Sequence, residues 1–116
     1  MTETEFLVQA DKILNKVQSC ADDWFENLDI DVDANREAYV LTLIFNAKQH
    51  IVINAQTPLQ EMWLAAPSGA FHYRFVEGEW ANTREESPNL DEQISQLCSE
   101  LTGKKLTVSF QENLDT

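Results

Sequence analysis

The chain has 116 residues, enough for one domain with a real core, and 43% hydrophobic content with three Trp and six Phe speaks for a folded rather than a disordered protein. A formal net charge of −12 argues against nucleic acid and anionic membrane as partners. The charge is also uneven: residues 1–33 hold nine acids against only Lys12 and Lys16. No apolar run is long enough to span a bilayer, and the acidic start Met1-Thr2-Glu3-Thr4-Glu5 is unlike a targeting leader, so a cytoplasmic location is expected.

The first predicted element is a helix over 4–24. Phe6, Ala10, Ile13, Leu14, Val17, Ala21 and Trp24 recur at three- and four-residue spacing and form one apolar stripe. Asp11, Asn15, Gln18 and Asp22 line a neighbouring face, and the helix ends in Asp22-Asp23-Trp24-Phe25-Glu26. Asp29–Asp33 then reads as a strand whose period of two sets Asp29, Asp31 and Asp33 on one face and Ile30 and Val32 on the other.

Further strands are predicted at Tyr39–Phe45 and at His50–Asn54, with Asn46-Ala47-Lys48-Gln49 turning between them. Pro58 interrupts, and Glu61–Ala66 resumes. Pro67-Ser68-Gly69 signals another turn, followed by strands at Ala70–Phe75 and Trp80–Asn82. A second helix is expected from Ser87 as N-cap and Pro88 as first helical residue to Gly103. Leu106–Phe110 reads as a last short strand, and residues 111–116 as a frayed tail. Helix, meander, helix is the order of an α+β fold: an antiparallel sheet covered on one side by two helices, in a single domain over 1–116.

Catalytic motifs are missing. Gly69, Gly78 and Gly103 all fall at turns, so there is no phosphate loop, and His50 and His72 stand at no metal-ligand spacing with Cys20 or Cys98. The two cysteines read as reduced, buried thiols on separate helices. The acidic ridge is the main candidate site. Carboxylates crowded at a helix C-terminus repel one another and meet the negative end of the macrodipole, so a positive counterpart fits them. Oxygen ligands suit hard cations such as Fe3+, Fe2+, Mn2+, Ca2+ and Mg2+. A solvated face that only aids solubility is the competing reading. A second candidate is Asn54-Ala55-Gln56-Thr57-Pro58-Leu59-Gln60-Glu61-Met62-Trp63-Leu64. If Met62 and Leu64 face the core, Trp63 stands exposed among amides, the composition of a protein-binding hot spot; with reversed register it is simply core.

These residues also carry a resemblance. Asp29-Ile30-Asp31-Val32 after an acidic first helix, and Asn54-x-Gln56-Thr57-Pro58 followed by Met62-Trp63-Leu64, resemble the frataxin family, and Glu5-Phe6, Ala10-Asp11 and Asp22-Asp23-Trp24 resemble its bacterial members. The likeness runs from about Glu5 to Phe110 and implies an α-β-α sandwich, with two terminal helices on one face of a sheet of five to seven strands. It implies weak surface binding of iron (Fe2+/Fe3+) by carboxylates, here Asp11, Asp22, Asp23, Glu26, Asp29, Asp31 and Asp33. It also implies regulation of a cysteine desulfurase and its iron–sulfur scaffold protein, with Asn54, Gln56, Trp63, Asp22 and Asp23 facing the partner. The protein would be no enzyme and mostly a monomer, with iron-dependent oligomers. The alternative the resemblance offers is a ferroxidase that stores iron in an oligomer, and a more distant one is an acidic mimic that binds a nucleic-acid-binding protein. This chain departs from its bacterial relatives at Gln18, Ser19 and Phe25, where acids are common. It departs again at Glu61, where glutamine is usual and a carboxylate is expected to add charge to the binding face.

Overall fold

A computed structural model of the chain describes residues 1–111. Helix α1 spans Glu3–Asn27 and starts in a capping box: Thr2 Oγ1 accepts the Glu5 N–H at 3.1 Å, and the Thr2 N–H donates to the Glu5 carboxylate at 2.8 Å. All seven residues of the expected apolar stripe are buried. The helix ends because Asp29 turns left-handed, with φ 57°, a conformation that aspartate tolerates better than most residues. That turn brings the Ile30 N–H back to the Trp24 carbonyl at 3.2 Å.

Six strands follow: β1 Val32–Glu37, β2 Val40–Phe45, β3 Gln49–Gln56, β4 Glu61–Ala66, β5 Gly69–Val76 and β6 Glu79–Asn82. They pair in sequence order as one antiparallel meander. A short 3₁₀ turn, Thr57–Leu59, carries Pro58 between β3 and β4. Between β5 and β6, Glu77 and Gly78 both take positive φ (51° and 82°), the backbone that closes a two-residue hairpin without splaying the strands. Helix α2 spans Leu90–Thr102 and closes at Gly103, whose left-handed φ of 71° lets its N–H reach the Ser99 carbonyl at 2.9 Å. The inner sheet face supplies Leu41, Leu43, Phe45, Ile51, Ile53, Met62, Leu64, Tyr73 and Trp80 to a core completed by α1 and α2. The expected α+β architecture, two helices on one side of an antiparallel sheet, is what forms.

Three expectations need correction. The aspartate strand begins at Val32, not Asp29, because the left-handed turn consumes Asp29; the alternation nonetheless persists, with Ile30 and Val32 buried and Asp31 and Asp33 exposed. Asn89, not Ser87, caps α2. Glu92 at the third helical position returns its carboxylate to the Asn89 N–H at 3.3 Å, which leaves Ser87 and Pro88 outside the helix. Residues 106–110 join no sheet. They run extended along α2 and bond to its side chains. Ser99 Oγ accepts the Leu106 N–H (2.9 Å), Ser95 Oγ accepts the Val108 N–H (2.8 Å), and Asp91 Oδ2 accepts the Phe110 N–H (3.2 Å). Four helical residues rise about 6 Å and two extended residues about 6.6 Å, so side chains spaced by four on the helix meet backbone spaced by two on the strand. Of the expected tail, Gln111 is an exposed bend and residues 112–116 lie outside the described residues.

Candidate functional site

The acidic ridge forms where α1 hands over to β1. Asp22, Asp23, Glu26, Asp29, Asp31 and Asp33 are all exposed, and among the described residues none lies in an ion pair. Asp23 accepts a hydrogen bond from Asn27 Nδ2 at 2.6 Å. Among these acids Phe25 is 57% exposed and Leu28 44% exposed, so the ridge has apolar ground between its charges. Asp11 stands apart. It is clamped by Arg36 of β1, whose Nη2 donates to Asp11 Oδ1 at 2.6 Å while Nη1 donates to Asn15 Oδ1 at 2.5 Å and Nε to the Ala38 carbonyl at 2.9 Å. A carboxylate already matched by a guanidinium is no free ligand, so Asp11 belongs to the helix–sheet junction rather than to the ridge.

The donor chemistry of the ridge suits iron, since exposed carboxylate oxygens are hard ligands. Convergence is what it lacks: among the described residues no three His, Cys, Asp or Glu side chains are placed to hold one metal ion.

The second candidate lies on the sheet face turned away from the helices. Met62 and Leu64 are buried inward and Trp63 stands outward, half-buried, which excludes the reversed register. Asn54, Trp63 and His72 lie side by side across β3, β4 and β5, and Gln56, Glu61 and Arg74 form the next row. Gln56 Nε2 donates to Asn54 Oδ1 at 2.5 Å. The indole N–H of Trp63 donates to Glu61 Oε1 at 2.9 Å, and its ring stacks on His72 with centroids 4.2 Å apart and planes 7° from parallel. Glu61 Oε2 accepts Arg74 Nε at 2.8 Å, while His72 Nδ1 stands 3.8 Å from Oε1.

Glu61 is only 5% exposed, so the expectation that it charges the binding face is overturned. Burial pushes its carboxyl up, but the hydrogen bonds from Trp63 and Arg74 and the charges of Arg74 and His72 outweigh that and hold it below the ordinary carboxylate range. Its charge is satisfied inside the face. Sequence reasoning named Trp63 but missed the group that holds it. The signal was available: counting outward from the Pro67-Ser68 turn sets Trp63 opposite His72 and Glu61 opposite Arg74.

The two thiols are free, as expected, though only Cys98 is fully buried; Cys20 is half-buried. Burial raises both, and Cys98 reaches about 12, too high for a thiolate near neutral pH. No helix among the described residues is long and apolar enough to cross a membrane.

The fold and the two candidate surfaces together define an α+β sandwich with an acidic helix end and an open sheet face. The particular family follows from comparison. The profile described as Frataxin-like domain matches residues 1–113, and the chain belongs to that family. It is 47% identical over 108 residues to the "Iron-sulfur cluster assembly protein CyaY" of Bordetella parapertussis, covering 93% of this chain and 98% of that one. To the protein of the same name from Bordetella avium it is 48% identical over 108 residues, with the same coverage of both chains. Among solved structures, frataxin from Psychromonas ingrahamii superposes with a TM-score of 0.79 at 28% identity, covering 97% of this chain and 100% of that one. Trimeric frataxin from the yeast Saccharomyces cerevisiae gives 0.70 at 28% identity, covering 82% and 79%.

Proposed function

We propose that the chain serves iron–sulfur cluster assembly as a binding and regulatory protein, docking on a cysteine desulfurase and its scaffold and attracting iron to the same acidic surface. One observation carries this reading: six exposed carboxylates from Asp22 to Asp33 have no ion-pair partner among the described residues. Their mutual repulsion is relieved when a basic surface or a cation arrives. Iron held here would lie on Asp22, Asp23, Glu26, Asp29, Asp31 and Asp33 and keep much of its water, because no three of these side chains are gathered around one ion. The Trp63 face, with Asn54 and Gln56, supplies the packed part of the same contact. The names borne by the Bordetella relatives support the pathway.

Substituting Asp22, Asp23, Asp29 and Asp31 with Lys tests it. Desulfurase binding and Fe2+ binding, measured by calorimetry at low and moderate salt, are both expected to be lost. Intact desulfurase binding in that variant would refute the docking surface. Oxygen uptake with Fe2+ separates this reading from ferroxidase activity: a binding protein oxidises iron no faster than buffer, and sustained turnover would favour the enzyme.

A further inference from the structure

We propose that Glu61 is the positioning residue of the Trp63 face and that Arg74 is its built-in counter-charge. The inference rests on the reading that this face docks a partner. Trp63 is held on two sides: Glu61 Oε1 takes its indole N–H at 2.9 Å and His72 covers one ring face at 4.2 Å. The hydrogen bond joins residues two apart on β4, whereas the stacking is a cross-strand contact set by the β4–β5 hairpin, which places Trp63 opposite His72 and Glu61 opposite Arg74. A carboxylate only 5% exposed is unfavourable unless matched, and Arg74 matches it at 2.8 Å. The arrangement therefore fixes one orientation of a large aromatic side chain while adding no net charge to its surroundings.

A fixed indole has already lost the rotamer freedom that an unrestrained tryptophan would surrender on association, so partner affinity rises without any new contact. On the neighbouring strand β3, Asn54 and Gln56, hydrogen-bonded to each other, are uncharged and leave the Glu61–Arg74 balance undisturbed. Glu61 acts through Trp63 and needs no contact with the partner.

The test uses the full chain, with the desulfurase proposed above as binding partner and the Trp63 indole resonance in a 15N-labelled sample as the local reporter, assigned by its loss in Trp63→Phe. Glu61→Ala is expected to shift that resonance and weaken binding by about tenfold. Glu61→Gln, whose amide oxygen accepts the same N–H, is expected to restore the resonance and bring affinity back to within about threefold of wild type. Rescue by glutamine would not follow from loss of charge alone. If Trp63→Ala weakens binding while Glu61→Ala leaves the resonance and the affinity unchanged, the positioning role is wrong and the docking face stands. If Glu61→Ala shifts the resonance but leaves binding intact, the role is equally refuted. If Trp63→Ala itself binds normally, the docking face fails, and this proposal with it.

Discussion

At the scale of single residues, the same side-chain type does opposite work according to what surrounds it. Asp11 and Glu61 are carboxylates matched by Arg36 and Arg74, whereas Asp22, Asp29 and Asp31 stand in water with no basic partner among the described residues. Glu61 has a consequence for acid stability. Its folded carboxyl lies below the ordinary value of 4.5, so its ionised form favours the fold. That contribution is complete above about pH 4.5 and is lost as pH falls through the lower folded value. The urea midpoints of wild type and Glu61→Gln are therefore expected to differ at neutral pH and to converge on acidification; a constant gap would contradict the assignment.

At the scale of elements, the terminal segment shows how a helix can stand in for a sheet neighbour. Ser95 Oγ accepts the Val108 N–H at 2.8 Å and has the carbonyls of Asp91 (2.8 Å) and Val108 (3.2 Å) for its own hydrogen. Ser95→Ala removes the partner of a backbone amide that is shielded from water and should cost about 1–3 kcal/mol, read as a lower urea midpoint with unchanged slope. This pairing explains what the sequence could and could not reveal. The short strand expected over Leu106–Phe110 joins no sheet, though Leu106 and Val108 are buried and Thr107 and Ser109 exposed, because residue type and periodicity do not name the hydrogen-bond partner. The α1 stripe was legible in full because seven apolar residues at one spacing leave no other solution. The α2 start was misplaced because Ser87-Pro88 and Asn89-Leu90 both resemble a helix start, and only the carboxylate of Glu92 reaching back to Asn89 decides between them. The ridge was legible as composition but not as geometry, since a left-handed turn at Asp29 leaves no trace in charge spacing. That Asp11 faces Arg36, 25 residues along, depends on how α1 lies against β1 and could not be read from local pattern.

At the scale of the whole molecule, the dominant quantity is the unbalanced charge. Replacing four ridge aspartates by lysine changes each by two units and carries the net from −12 to −4. Self-repulsion in the free protein should fall accordingly, so the same variant that loses its partner is expected to melt higher than wild type at low salt. Adding salt should raise the melting temperature of wild type more than that of the variant, and equal responses would mean that the ridge is already relieved within the fold. Length is constrained as firmly as charge. The rungs joining α2 to residues 106–110 keep two unlike rises in step, so one residue inserted between Asp91 and Ser99, or between Leu106 and Phe110, would throw every later rung out of alignment. An insertion near Lys104, in the connection between the two stretches, would leave the spacing on both sides intact. The chain should thus tolerate a change of length at that bend and not on either side of it.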